Sequence, residues 1–400
     1  MARLFYSWEF GANFGHIGAF LPLGRALRDR GHDVQWVVTQ TGPASRLLAR
    51  ENFTWLQAPL ATEVGQKNPP LTYADILLRF GYANADDLNG LVVAWRELYR
   101  LGRAQLVLAD HAPTAVLAAR TLDLPVMLFS NGFTVPPRLR PLPNMRPWQT
   151  FPDAQLLAIE DQALASINQV LLGFGKPPLA ALHQLFDVEE EALITYPELD
   201  HYENRGPARY WGSLSNAAIG IAPPWPNIEG KRIFAYLRPE TPHVEAALQV
   251  LHRLAQPTVI YFPGVPEALR QKYQAAHMIY VAEPVDIERA AREADVALTY
   301  SSLATTTAFL MAGKPLMLLP SHLEQFLLAR RVVEMGAGSV LSAEQAATEL
   351  PTLMQDLLNN PACADNARAF AQKYASFGQA SVIENLVRRV HELVSGEAKK

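Results

Sequence analysis

Four hundred residues exceed one ordinary core of about 150–200 residues, so the length implies two domains. Hydrophobic residues make up 49% and charged ones 18%, which excludes a disordered chain, and a net charge of −4 sets nucleic-acid binding aside. The single Cys363 excludes an intramolecular disulfide or a multi-cysteine metal site.

The N-terminal run reaches an acid at Glu9, too soon for a signal peptide. No stretch approaches the roughly 18 apolar residues of a membrane span. The expected location is cytoplasmic, with peripheral contact with a membrane surface left open.

Strand-like runs alternate with helical ones along the whole chain. The first half predicts strands at 3–8, 34–39, 54–58, 105–110, 126–131 and 192–196. Helices fall between them over 17–30, 73–102, 113–122 and 154–173. From 210 to 231 the text YWGSLSNAAIGIAPPWPNIEGK is rich in Gly, Pro, Ser and Asn and aperiodic, as a linker is. The second half predicts strands at 232–237, 258–262, 278–282, 296–300, 316–320 and 339–341. Its helices are 243–254, 287–293, 305–312 and 322–335, followed by three helical segments that end with 380–395.

Such alternation gives an α/β chain of two doubly wound, Rossmann-like parallel-sheet domains facing a central cleft. The expected division is a first domain over 1–215, a linker over 216–231 and a second domain over 232–379. The C-terminal helix, 380–400, is placed to pack back on the first domain. Ligands of such folds bind beyond the carboxyl ends of the strands, so the loops there carry the candidate chemistry.

The first strand runs into GANFGHIG, a glycine-rich turn that includes Gly11, Asn13 and Gly15 and opens a helix. Its spacing is not G-x-G-x-x-G, and the second strand lacks a ribose-binding acid, so a dinucleotide reading is weak. His16 sits at the helix start, where the dipole favours a neutral ring able to take a proton. It is either that base or a structural histidine. Asp110 ends a strand of the same sheet and either orients His16 or caps the helix beginning near Pro113.

The second cluster is ADVALTYSSLATTTAFLMAGKPLMLLPSHLEQFLLARRVVEMG. After Tyr300 a strand gives way to a helix, with Ser301, Ser302, Thr305 and Thr306 at its start. These hydroxyls beside free amides make either a diphosphate cradle or ordinary caps. Glu324 and Gln325 begin the next helix, where an acid and an amide together suit the vicinal hydroxyls of a sugar.

GHIGAFLPLGRALRDRGHDV, VLADHAPTAVLAARTLDLPV and ADVALTYSSLATTTAFLMAGKPLMLLP followed by EQFLLARRV resemble the family 1 glycosyltransferases. That group contains the UDP-glucuronosyltransferases and bacterial macrolide and rhamnosyl transferases. The resemblance spans both halves in order and implies the GT-B fold. It makes His16 the general base that deprotonates an acceptor hydroxyl, and Asp110 its partner. The implied reaction is displacement at the anomeric carbon with inversion, needing no metal and no cofactor beyond a UDP- or dTDP-linked sugar as co-substrate. Glu324 and Gln325 fall where the family's Asp-Gln pair grips the donor sugar.

The chain also departs from the pattern. Tyr300, Ser301 and Ser302 stand where the family usually has a histidine and two glycines, and Ala304 replaces another glycine. Ala308 stands for a ribose-binding glutamate, Ala282 for a base-stacking aromatic, and Leu328 for a frequent asparagine. Backbone amides do not depend on side-chain identity, so these changes bear on nucleotide recognition rather than phosphate binding.

The proline-rich 130–152, with three arginines and Trp148, suits a small-molecule or lipid-like acceptor, or is a rigid surface connection. Two other readings stand beside the transferase: a nucleotide-sugar hydrolase or epimerase of the same fold, and an inactive sugar-nucleotide-binding or auxiliary homologue.

Overall fold

The computed structural model describes residues 1–12, 14–62, 69–214 and 220–396. Two compact units emerge: Met1–Tyr196 with Tyr202–Leu214 and Gln379–Lys400, and Pro197–His201 with Ser215–Gly378.

The first unit is built on six parallel strands: β1 (Arg3–Trp8), β2 (Asp33–Val38), β3 (Trp55–Gln57), β4 (Leu106–Asp110), β5 (Val126–Ser130) and β6 (Glu190–Leu193). They pair in the order β3-β2-β1-β4-β5-β6. Helices α1 (Gly15–Asp29), α2 (Thr41–Leu47), α3 (Tyr73–Leu77), α4 (Ala85–Gly102), α5 (Pro113–Thr121) and α6 (Asp153–Gly173) connect them. The order reverses at β1 and β4, which lie side by side with Trp8 opposite Asp110. β4 is buried throughout and β1 from its second residue on, so their sequences read as nearly continuous apolar runs.

The second unit repeats the plan with β7 (Ile233–Tyr236), β8 (Thr258–Tyr261), β9 (Met278–Val281), β10 (Val296–Thr299), β11 (Leu316–Leu318) and β12 (Gly338–Val340). Its order is β12-β11-β10-β7-β8-β9, so β7 and β10 are the central neighbours and Tyr236 lies opposite Thr299. Its helices are α7 (Val244–Leu254), α8 (Glu267–Lys272), α9 (Ile287–Glu293), α10 (Leu303–Met311), α11 (Leu323–Glu334), α12 (Leu350–Asn359) and α13 (Pro361–Lys373).

The last helix, α14 (Gln379–Ser395), belongs to the first unit. Val382, Leu386, Val387, Val390 and Leu393 form its apolar stripe and join the core of Trp8, Phe20 and Trp36. Each such burial contributes about 1.5–3 kcal/mol before entropy is counted. Arg389 donates to Glu190 at 2.6 Å and tethers the same helix to β6.

One expected element divides. The helix expected over 73–102 stops after Leu77, and Phe80 and Gly81 leave helical geometry, with Gly81 at φ +93°. Glycine adopts that conformation without the strain a Cβ would bring. The chain restarts at Asn84, whose side chain accepts from the amides of Asp86 and Asp87 as the cap of α4.

Candidate active site

In the first unit the adjacent ends of β1 and β4 present His16 and Asp110 to each other. His16 Nδ1 lies 3.0 Å from Asp110 Oδ1, and the Tyr6 hydroxyl donates to the other carboxylate oxygen at 2.8 Å. Asp110 is buried, so both of its oxygens are spoken for by side chains on the neighbouring β1–α1 segment. Trp8 stacks on the His16 ring at 5.0 Å and 23°, and its own indole donates to the Phe10 carbonyl at 2.6 Å. The ring is thus fixed from one edge and one face. A carboxylate on Nδ1 selects the tautomer with its proton there and makes Nε2 the basic nitrogen.

Gly11 completes the arrangement. It has φ +90°, and a Cβ built on it would stand 2.6 Å from His16 Nε2. Only a residue without a side chain lets the loop pass this close. Gly15 opens α1 with no such contact, and Asn13 lies outside the described residues.

Asp110 does not cap the helix beginning at Pro113. The Thr114 amide donates instead to Glu9 Oε2 at 2.9 Å, so Glu9 takes that part. Glu9 is buried, its Oε1 has no hydrogen-bond partner, and burial pushes its carboxyl up to about 7. His111, at φ +45°, lies beyond Asp110 with its ring 6.2 Å from that of His16. Burial, and then the neighbouring His16, hold His111 well below the usual histidine range, so it is a neutral ring beside the dyad.

In the second unit the candidate donor residues gather at the carboxyl edge of β10. Ser302 is the N-cap of α10, yet its side chain caps no amide and donates to Thr305 Oγ1 at 3.0 Å. The early amides of α10 are therefore not consumed by a side-chain cap, and the positive helix end is left to act on an anion. Thr306 is fully buried, and its hydroxyl has no partner. Ser301 adopts φ +66°, the left-handed backbone that its glycine counterpart would take freely, and its hydroxyl donates to the Gln325 carbonyl at 2.9 Å. Serine has kept the glycine-like turn by tying it to α11.

Gln325 is half-buried, and its side-chain oxygen accepts from the Ser321 amide at 2.8 Å, holding the loop that precedes α11. Glu324 precedes it in the first turn, and Tyr300 packs edge-on against Tyr236 at 4.9 Å. Among the described residues no three His, Cys, Asp or Glu side chains gather as a metal site, and no helix is long and apolar enough to cross a membrane.

The three arginines of the proline-rich stretch have structural partners. Arg138 pairs with Asp187 at 3.0 Å, Arg140 with Asp161 at 2.6 Å, and Arg146 donates to the Pro70 carbonyl at 3.0 Å. That favours the rigid connection over an acceptor-binding loop for these side chains, while Trp148 remains 45% exposed. Sequence reasoning missed Tyr6, Trp8 and Glu9. The signal for Tyr6 and Trp8 was period two along β1, which puts both on one face of the strand that leads to His16.

No protein-family model matches the chain. The zeaxanthin glucosyltransferase of Pseudescherichia vulneris is 25% identical over 375 residues, covering 86% of this chain and 88% of that protein. Among solved structures, the calicheamicin glycosyltransferase CalG4 superposes with a TM-score of 0.73 at 16% identity, covering 98% of each chain. The spinosyn rhamnosyltransferase SpnG gives 0.69 at 17% identity over 97% of this chain and 100% of its own. The glycosyltransferase VinC, solved with dTDP, gives 0.71 at 15% identity over 98% and 100%. Sequence likeness over most of the chain and fold likeness over nearly all of it make this protein similar to known glycosyltransferases, and its two parallel-sheet units have the GT-B fold.

Proposed function

We propose that this protein transfers a sugar from a UDP- or dTDP-sugar to a hydroxyl acceptor, without a metal and with inversion at the anomeric carbon. The observation that carries this reading is the pairing of His16 Nδ1 with Asp110 Oδ1 at 3.0 Å. His16 Nε2 takes the acceptor's hydroxyl proton as its oxygen attacks the anomeric carbon. The bond from that carbon to the diphosphate breaks, and its electron pair leaves with the diphosphate. Attack opposite the departing group inverts the centre. Asp110 stabilises the imidazolium that forms, as in any base–orienter pair.

The start of α10 supports the donor half of the reading. Amides at a helix N-terminus stabilise charge gathering on a diphosphate without rearranging. Gln325 and Glu324 are assigned to the sugar, and Ser301, Ser302, Thr305 and Thr306 to the turn that aims those amides. The acceptor is assigned as an apolar small molecule bearing a hydroxyl. Zeaxanthin, named for the curated relative, and the spinosyn aglycone, bound in a solved SpnG complex, are the first to try.

The test is calorimetric titration with UDP, dTDP and their glucose and rhamnose conjugates, followed by turnover with those two acceptors. Micromolar diphosphate binding and a glycoside product of inverted configuration are expected. Binding without turnover of any sugar would favour the auxiliary homologue, and retained configuration would overturn the direct displacement.

A further inference from the structure

Beside α10, three tyrosines and one arginine crowd the carboxyl edge of the central strands of the second unit. Tyr236 ends β7, Tyr261 ends β8, and Tyr300 follows β10. Tyr236 packs on Tyr261 at 4.6 Å and on Tyr300 at 4.9 Å. Arg238 lies over Tyr300 with its guanidinium carbon 4.9 Å from the ring centre, and 5.9 Å from that of Tyr236.

This guanidinium is poorly neutralised. Its side chain is 21% exposed, and its nearest acid is Glu240, 3.9 Å away and 60% exposed. An ion pair that long and that exposed contributes little. Arg238 Nη2 lies 3.5 Å from the Tyr236 hydroxyl, at the limit of a hydrogen bond, and its Nε is buried with no partner. Burial pushes the Tyr236, Tyr261 and Tyr300 hydroxyls up, so the surrounding phenols stay neutral. Burial disfavours the cation, but the Tyr300 and Tyr236 rings and hydroxyls outweigh it and keep Arg238 charged, without a close acid to neutralise it.

The loop holding Arg238 is also built in advance. The Arg238 amide donates to Thr241 Oγ1 and the Thr241 amide to the Arg238 carbonyl, both at 3.0 Å. His243 Nε2 ties the loop's far end to the Ser342 carbonyl at 2.9 Å. Tyr300, which Arg238 covers, precedes Ser302 by two residues, so the guanidinium stands beside the start of α10.

We propose that Arg238 receives the diphosphate of the donor and makes this site selective for nucleoside diphosphates over monophosphates. The inference rests on the donor reading above. The fork of the guanidinium matches phosphate oxygens, and the Tyr300 ring that it covers supports it. The negative charge that grows on the leaving diphosphate is met by a fixed cation as well as by helix amides. This also gives Tyr300 a use where the family usually has another residue: it is a platform for the arginine.

The experiment titrates dTDP, dTMP and thymidine, and the uridine series in parallel, into the full chain and into Arg238→Gln and Arg238→Met. Methionine keeps the packing against the tyrosines if glutamine fails to fold, and melting curves identify folded variants. The wild type is expected to prefer the diphosphate. The variants are expected to lose about 10–100-fold for the diphosphate, the range for a lost hydrogen bond to a charged group, and under threefold for monophosphate and nucleoside. Unchanged diphosphate affinity in a folded variant, or equal losses for all three ligands, overturns the role of Arg238 and leaves the donor reading standing. A wild type that binds neither diphosphate at millimolar concentration overturns both.

Discussion

The ends of the two sheets solve different problems by different means. In the first unit, side chains hold a side chain: Asp110, Tyr6 and Trp8 fix His16 at one ring edge and one face. In the second, backbone does most of the positioning, through a left-handed Ser301 and a helix start that no side chain caps. The difference follows from the chemistry each end is assigned. A general base needs one nitrogen of one tautomer in one place, and only other side chains can specify that. A diphosphate has many equivalent oxygens, and several amides on a rigid helix serve it whatever their side chains are. The first site should therefore be brittle to substitution, and the start of α10 tolerant of any change that keeps its backbone.

The sharpest break is His16→Ala. Loss of a positioned general base typically costs about 10²–10⁴-fold in rate. Turnover should fall by that amount while dTDP affinity and the melting temperature stay near wild type. A variant that fails to fold would instead make His16 a structural residue of the Trp8 stack.

Glu9 tests how far the side-chain rule extends beneath the dyad. Its carboxyl rises from 4.5 to about 7 on burial, so between these values the folded chain holds a proton that the unfolded chain has released. Stability should then be full below about pH 4.5 and fall as pH rises through 7. The gross loss is on the order of 3 kcal/mol, from 1.36 kcal/mol per unit. Glu9→Gln keeps an acceptor for the Thr114 amide and should flatten that part of the curve in urea unfolding measured from pH 4.5 to 8. An unchanged slope would place its source elsewhere.

The contrast explains what the sequence disclosed. His16 and Asp110 could be paired because one follows and the other ends a strand of an alternating pattern, and parallel strands bring such ends to one edge. That Glu9 rather than Asp110 serves α5 was hidden, because the two acids end neighbouring strands and only three-dimensional contact separates them. The expected helix over 73–102 failed at Gly81 for a related reason: an isolated glycine inside a helical period does not announce its φ. Arg238 was silent too. Its meaning lies in three tyrosines from three strands, and no local spacing records that.

Gly11→Ala probes the approach of the loop to the ring. The new Cβ would start 2.6 Å from His16 Nε2, on a backbone at φ +90° that alanine resists. The ring must move, and a misplacement near 1 Å costs about 100-fold in a positioned reaction. Turnover should drop by that order with dTDP affinity unchanged. Activity within threefold of wild type would mean that the loop yields and the ring does not.

The smallest effect is expected where the second unit departs most from the glycosyltransferase pattern that it resembles. Ser301→Gly removes the hydroxyl that donates to the Gln325 carbonyl at 2.9 Å, a bond worth about 0.5–1.5 kcal/mol net. It also relieves a left-handed serine, which costs on the order of 1–2 kcal/mol. Glycine then loses more chain entropy on folding, about 0.5–1 kcal/mol. These contributions nearly cancel, so urea unfolding should shift by under about 1 kcal/mol. Since the same backbone turn is kept, dTDP affinity should stay within twofold. Ser301→Val is the control: a β-branched side chain cannot hold φ +66° without strain, and both stability and dTDP binding should fall. If glycine instead loses dTDP binding while valine keeps it, side-chain identity rather than backbone shape builds the cradle, and the contrast between the two units collapses.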